Sequence, residues 1–192
     1  MDGSSVCPAY FNMIIMKEKK IKIKIFAVVS RGEGDEAERE KIRITGNGVM
    51  ACEGSLIEIR YDEILGEDGP AVNTLSFDTG DRSVVTLVRE GAVSSVMTFS
   101  EKARYGGNYD AGFAAFEFTV AARRVSNTVS FENGGVLVLD YNTEIQGVAV
   151  QESRFRFDIV CDGEAYEKHV RKVKKTKKIQ NPLDKRGRDV IE

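Results

Sequence analysis

Residues 56–64 read Leu56-Ile57-Glu58-Ile59-Arg60-Tyr61-Asp62-Glu63-Ile64. Ile57, Ile59, Tyr61 and Glu63 take every second position, and Glu58, Arg60 and Asp62 fill the places between. An alternation of period two sorts these sets onto opposite faces of a β-strand. One face is apolar enough to be buried and the other is charged, as in an antiparallel sheet with one wet side.

The same period extends in both directions. Upstream, Ile21, Ile23 and Ile25 alternate with Lys20, Lys22 and Lys24, and Ile42 and Ile44 with Lys41, Arg43 and Thr45. Arg31–Glu40 is charged and reads as a loop. Downstream, Gly66-Glu67-Asp68-Gly69-Pro70 is a turn signal, followed by strand-like runs at Val72–Phe77, Val84–Arg89 and Val93–Phe99. Arg104–Asp110 reads as a strand with a bulge at Gly106-Gly107. Phe113–Val125, Leu137–Ile145 and Val148–Val160 complete the set, with Glu132-Asn133-Gly134-Gly135 as a hairpin turn. Turn signals recur roughly every 8–12 residues, the spacing of an all-β sandwich or barrel. A barrel is favoured because closure removes exposed edges. The expected fold is all-β: a single antiparallel up-and-down barrel of about eight to ten strands.

The pattern changes after Asp162. Tyr166, Val170 and Val173 fall at i, i+4 and i+7 among many lysines, and Gly163–Lys178 reads as a basic amphipathic helix. The expected organisation is an N-terminal extension over 1–18, a barrel over 19–162, and a basic helix with a loose tail over 163–192. Within the extension, Met16-Lys17-Glu18-Lys19-Lys20 opens a cleaner beginning, which marks 1–15 as an upstream segment.

The chain has 192 residues, 42% of them apolar, enough for one well-cored domain. Its net charge of −2 is unevenly spread: residues 164–192 carry +5 and the rest −7. An acidic body opposes broad docking of nucleic acid on the barrel. Cys7, Cys52 and Cys161 are odd in number and form no Cys-x-x-Cys pair, so neither a disulfide framework nor a zinc site is expected, and a reducing, cytoplasmic setting fits. No run approaches the ~18 apolar residues of a spanning helix.

The order of several short segments resembles the YwiB-like family: Thr45-Gly46-Asn47-Gly48, Tyr61-Asp62-Glu63, Arg89-Glu90-Gly91-Ala92-Val93 through Met97, Tyr109, Asp140-Tyr141 and Gln146-Gly147. The resemblance covers Lys20 to Val160. It implies a calycin-like (lipocalin-like) β-barrel in a bacterial cell interior, and it implies no activity. The chain departs from the family after Tyr109, where Asp110-Ala111-Gly112-Phe113 replaces a Thr-Pro-Tyr-Gly-like turn.

Glu63 shares a face with Ile57, Ile59 and Tyr61, so its carboxylate points inward; Arg89 shares one with Val85 and Leu87. A buried charge needs a partner, so the two are expected to meet inside the barrel or at one mouth. They then form either the polar anchor of a ligand cavity or a structural ion pair at a strand end. Tyr61, Met97, Tyr109, Phe116 and Tyr141 line the same space, as ligand contacts or as plain core. Gly46-Asn47-Gly48 lacks the third glycine and following helix of a nucleotide loop and reads as a strand bend. His169 is the single histidine and stands among lysines, which leaves no two-histidine metal site. Neither a P-loop nor Gly-x-Ser-x-Gly occurs, and enzymatic activity has no positive support. No cofactor or metal is expected.

Lys168, Arg171, Lys172, Lys174, Lys175, Lys177 and Lys178 form a basic run suited to RNA or an anionic membrane surface, or simply a solubilising tail. The leading function class is therefore a non-enzymatic barrel that binds a small apolar or amphipathic molecule. The alternative is an interaction protein that presents the basic tail to RNA or another anionic partner, and an enzyme ranks last.

Overall fold

The computed structural model describes residues 14–32, 38–64, 70–112, 114–145, 148–163 and 166–170. Ten strands follow one another: β1 (Ile14–Arg31), β2 (Glu38–Glu53), β3 (Leu56–Ile64), β4 (Pro70–Asp78), β5 (Val85–Gly91), β6 (Ser94–Phe99), β7 (Tyr105–Asp110), β8 (Ala115–Asn127), β9 (Gly135–Ile145) and β10 (Val148–Cys161). Each pairs antiparallel with the next, and β1 pairs with β10 from Ile21↔Cys161 to Arg31↔Gln151. The sheet is thus a closed up-and-down barrel of ten strands, with no helix among the described residues. The expected all-β barrel is the observed architecture.

The alternation in the sequence is the alternation of burial. Ile21, Ile23, Ile25, Ala27 and Val29 are buried along β1, while Lys20, Lys22 and Lys24 between them are exposed. Fully buried Ile57, Ile59, Leu75, Val85, Phe99, Val120, Leu137, Leu139, Phe157 and Met50 fill the part of the lumen around the middle of β1. Each such side chain contributes about 1.5–3 kcal/mol through burial. The segment between β8 and β9 seals this filled end. There Ser130 and Gly134 exchange backbone hydrogen bonds of 2.9 and 3.0 Å, and Val129 and Phe131 turn into the core. Lys19 lies over the Phe131 ring, 4.7 Å from its centroid, and donates to the Glu132 carbonyl at 3.3 Å.

Three details correct the sequence reading. Gly46-Asn47-Gly48 makes no bend: β2 keeps unbroken register with β1 through it. A Cβ on Gly48 would meet the Arg60 carbonyl oxygen at 2.5 Å, so the glycine permits close strand approach. Gly106-Gly107 is not a bulge either, since β7 and β8 pair without a shift; the irregularities lie at Ala122/Arg124 in β8 and Ala149/Gln151 in β10.

The third correction concerns the helix over Gly163–Lys178. Tyr166–Val170 is a strand, β11, paired with Ile14–Glu18 of β1. β1 runs on past the end of β10 and offers an open edge there. The Asp162 N–H donates to the Lys20 carbonyl at 2.8 Å, and Gly163, at φ +97°, turns the chain back into register with that edge. Satisfying the unpaired backbone groups of an edge outweighs a narrow apolar stripe at helical spacing. Pairing accordingly begins at Ile14, inside the stretch read as an N-terminal extension. Arg171–Lys178 lie outside the described residues.

Gly54 and Gly134 both hold positive φ, +61° and +69°, yet only Gly134 is crowded, with the Ile159 carbonyl oxygen where a Cβ would go. Urea unfolding should show Gly54→Ala costing about 1 kcal/mol, the penalty of a left-handed alanine. Gly134→Ala should cost about 1–3 kcal/mol more through overpacking against β10.

Candidate functional site

Register builds the site. Tyr61 pairs with Asn73, Asn73 with Arg89, Arg89 with Ser95, Ser95 with Tyr109, and Tyr109 with Phe116. Directly paired residues of antiparallel strands point to the same face. One ladder row crossing β3 to β8 therefore sends six side chains into the lumen, two residues or fewer from the strand ends at β5, β6, β7 and β8. Glu63 stands one step further along β3 on the same face. Gly48 of β2 lies beside Tyr61 in the same row, and its missing side chain leaves room there.

These residues border a cavity of about 420 Å³ in the half of the barrel opposite the β8–β9 seal. Its apolar lining includes Ile25, Leu87, Met97, Phe118, Tyr141, Phe155 and Phe157; Asn73, Ser95, Thr143 and Gln151 join Glu63 and Arg89 as polar groups. At the rim Tyr109, Phe116 and Ile145 are 37%, 53% and 45% exposed, so the mouth is apolar and open. Tyr141, Phe155 and Phe157 stack in series at 6.2 and 5.9 Å along one wall, and Phe99 closes on Tyr141 at 4.7 Å.

The structure brings together all seven residues singled out in the barrel: Tyr61, Glu63, Arg89, Met97, Tyr109, Phe116 and Tyr141 all line the cavity. Glu63 Oε2 stands 3.8 Å from Arg89 Nε, with both side chains about one-fifth exposed. The Asn73 amide donates to the same Oε2 at 2.7 Å. At 3.8 Å the guanidinium contact is an ion pair without a hydrogen bond, and among the described residues Arg89 Nε is buried with no hydrogen-bond partner. Burial pushes the Tyr61 phenol well above its ordinary value, with the Glu63 charge adding to the rise and Arg89 opposing it. Burial likewise pushes Tyr141 up to about 12, against a hydrogen bond with Ser153 that lowers it. Both phenols stay protonated at neutral pH.

Asn73, Ser95, Thr143, Gln151 and Phe118 escaped the sequence reading. Asn73 carried the parity signal: it shares a face with Ala71, Leu75 and Phe77, all buried. Phe118 also borders a second hollow, outside the barrel, together with Val96, Gly106, Gly107 and Thr119. A Cβ on Gly107 would meet the Phe118 ring at 2.5 Å, so the glycine lets that ring form the wall between the two spaces. Of the basic run, Lys168 lies in β11 and the others fall outside the described residues. No cluster of His, Cys, Asp and Glu suited to a metal occurs among the described residues. Among those residues no helix is long and apolar enough to cross a membrane.

Residues 21–157 match the family described as a domain of unknown function, DUF1934. The chain belongs to the DUF1934 family. The family's span holds every residue of the cavity and stops before β11. The crystal structure of the YwiB protein from Bacillus subtilis superposes with a TM-score of 0.64 at 16% identity, covering 76% of this chain and 94% of that one. The shared DUF1934 barrel agrees with the YwiB-like resemblance of the sequence. No curated protein matches the chain.

Two buried phenols with raised pKa give a signed prediction. Above the ordinary tyrosine value near 10 the unfolded chain releases protons that the folded chain retains. Stability should hold below pH ~10 and fall between about 10 and 12, by about 1.4 kcal/mol per pH unit for each tyrosine. Urea midpoints measured across that range should fall less steeply in Tyr61→Phe/Tyr141→Phe than in the native chain.

Proposed function

We propose that the protein is a non-enzymatic carrier or sensor of a small amphipathic molecule, held in the open half of the barrel, in a bacterial cytoplasm. The observation that carries this reading is the uneven lumen: one half is packed solid, and the other keeps about 420 Å³ bordered by stacked rings and one polar cluster. That volume lies in the range of small-molecule sites, and an apolar wall with a few placed polar groups is their usual chemistry. The apolar rim of Tyr109, Phe116 and Ile145 gives a route for an amphipathic chain to enter. Among the described residues of the cavity no nucleophile is paired with a base, so binding accounts for it better than catalysis.

The neutral fluorophore N-phenyl-1-naphthylamine tests the proposal. It should bind the native chain saturably at one site, with enhanced and blue-shifted emission. Met97→Trp, which fills the lumen, should weaken binding by about tenfold or more, a loss of at least ~1.4 kcal/mol. Val96→Trp, on the outward face of the same strand, should leave it unchanged. Absence of binding to the native chain, or equal binding by Met97→Trp with native circular dichroism, would refute the reading.

The alternative uses the other end of the molecule. β11, which carries Lys168, pairs with the start of β1, at the end of the barrel opposite the cavity mouth. On this alternative, RNA binding by the full chain should weaken steeply with salt and vanish in a chain ending at Val170.

A further inference from the structure

Resting on the lumen reading above, the Glu63–Arg89–Asn73 cluster specifies the ligand's head group. We infer that the cavity selects an uncharged head that both donates and accepts a hydrogen bond, a primary alcohol or carboxamide on an apolar chain, and rejects carboxylates and ammonium ions.

The geometry is that of a bridge with its middle missing. Among the described residues Arg89 Nε is buried without a hydrogen-bond partner, and the nearest anionic oxygen, Glu63 Oε2, is 3.8 Å away and already accepts from Asn73 at 2.7 Å. An oxygen placed about 2.8–2.9 Å from both Arg89 Nε and the carboxylate fits this separation. A hydroxyl there accepts from Nε–H and donates its proton to Glu63, leaving neither group short. A carboxamide does the same with its carbonyl and its N–H. Buried donors left unsatisfied are costly, so completing the bridge favours the bound state.

Charge excludes the other heads. Glu63 and Arg89 neutralise each other, so the site offers no net attraction to an ion. A ligand carboxylate accepting from Arg89 Nε would lie against the Glu63 carboxylate with no proton between them. An ammonium could donate to Glu63 but leaves Nε without an acceptor and sets two cations side by side. Desolvating either ion in a cavity walled by Phe155, Phe157, Leu87 and Met97 adds to the penalty.

The experiment displaces N-phenyl-1-naphthylamine from the full chain near neutral pH with a series of matched chain length: 1-decanol, decanamide, decanoate and decylammonium. The alcohol and the amide should compete at least about tenfold more tightly than either ion, the worth of one well-made hydrogen bond to a charged group. Glu63→Gln keeps the shape and removes the negative charge, leaving Arg89 unneutralised. In that variant the ratio should shift toward decanoate by about tenfold or more. Since decanoate and decanol differ in intrinsic hydration equally against both proteins, the shift isolates the cluster. Decanoate matching or exceeding decanol on the native chain, or a ratio unmoved by Glu63→Gln, would overturn the head-group inference and leave the lumen reading standing. If the fluorophore and all four compounds fail to bind, both fall together.

Discussion

The eleven residue pairs that join Ile21–Arg31 of β1 to Gln151–Cys161 of β10 make everything else possible. Without that seam the sheet would be an open ribbon with two long edges. Its alternation would then give two faces of a sheet rather than an inside and an outside. Closure turns the parity of every strand into a statement about lumen or solvent. It also fixes the lengths: β1 must serve β2 along one edge and β10 along the other, and it still overruns β10 at its start. β11 covers that overrun, so the strand that replaces the expected helix is itself a consequence of the seam.

Closure alone does not make a cavity. Small barrels usually fill themselves with side chains, and this one does so over half its height. The row that contains Ile59, Leu75 and Leu87 brings apolar groups of sufficient bulk from neighbouring strands. The row from Tyr61 through Asn73, Arg89 and Ser95 brings smaller or polar groups instead. Asn73 and Arg89 spend their reach on Glu63, and Ser95 is too short to cross the lumen. Gly48 adds nothing beside Tyr61. The empty volume follows from the composition of one ladder row.

Much of this was written in single strands, and the remainder was not. Parity within β3 and β5 was enough to turn Glu63 and Arg89 inward, and alternating isoleucines and lysines were enough to orient β1. Parity applied to Val72–Phe77 would have turned Asn73 inward in the same way. What no single strand contains is register. Whether Asn73 stands opposite Arg89 depends on the turn between β4 and β5, and a slip of one residue would have faced it outward. Gly107 was misread for the same reason. Locally, two glycines suggest a bulge, and only the neighbouring strand shows that a ring lies where the side chain would be. The stripe at Tyr166, Val170 and Val173 was a local signal overruled by a distant edge.

The polar cluster is hard to account for by stability. A partly buried ion pair gains little over well-packed apolar residues of similar size, because desolvating two charges offsets most of their attraction. Here the exchange is poorer still: the pair lacks a direct hydrogen bond and leaves Arg89 Nε without a partner among the described residues. The barrel has an easy alternative, since the adjacent row shows that leucine and methionine fit at the neighbouring inward positions of β5 and β6. A site that gives up packing, leaves a donor waiting and opens through an apolar rim is costly as a structural element. As a binding site for a molecule that supplies the missing hydrogen bond and fills the volume, the same features are those required. On the proposed reading a ligand would complete the core of this barrel, and occupancy would raise its stability.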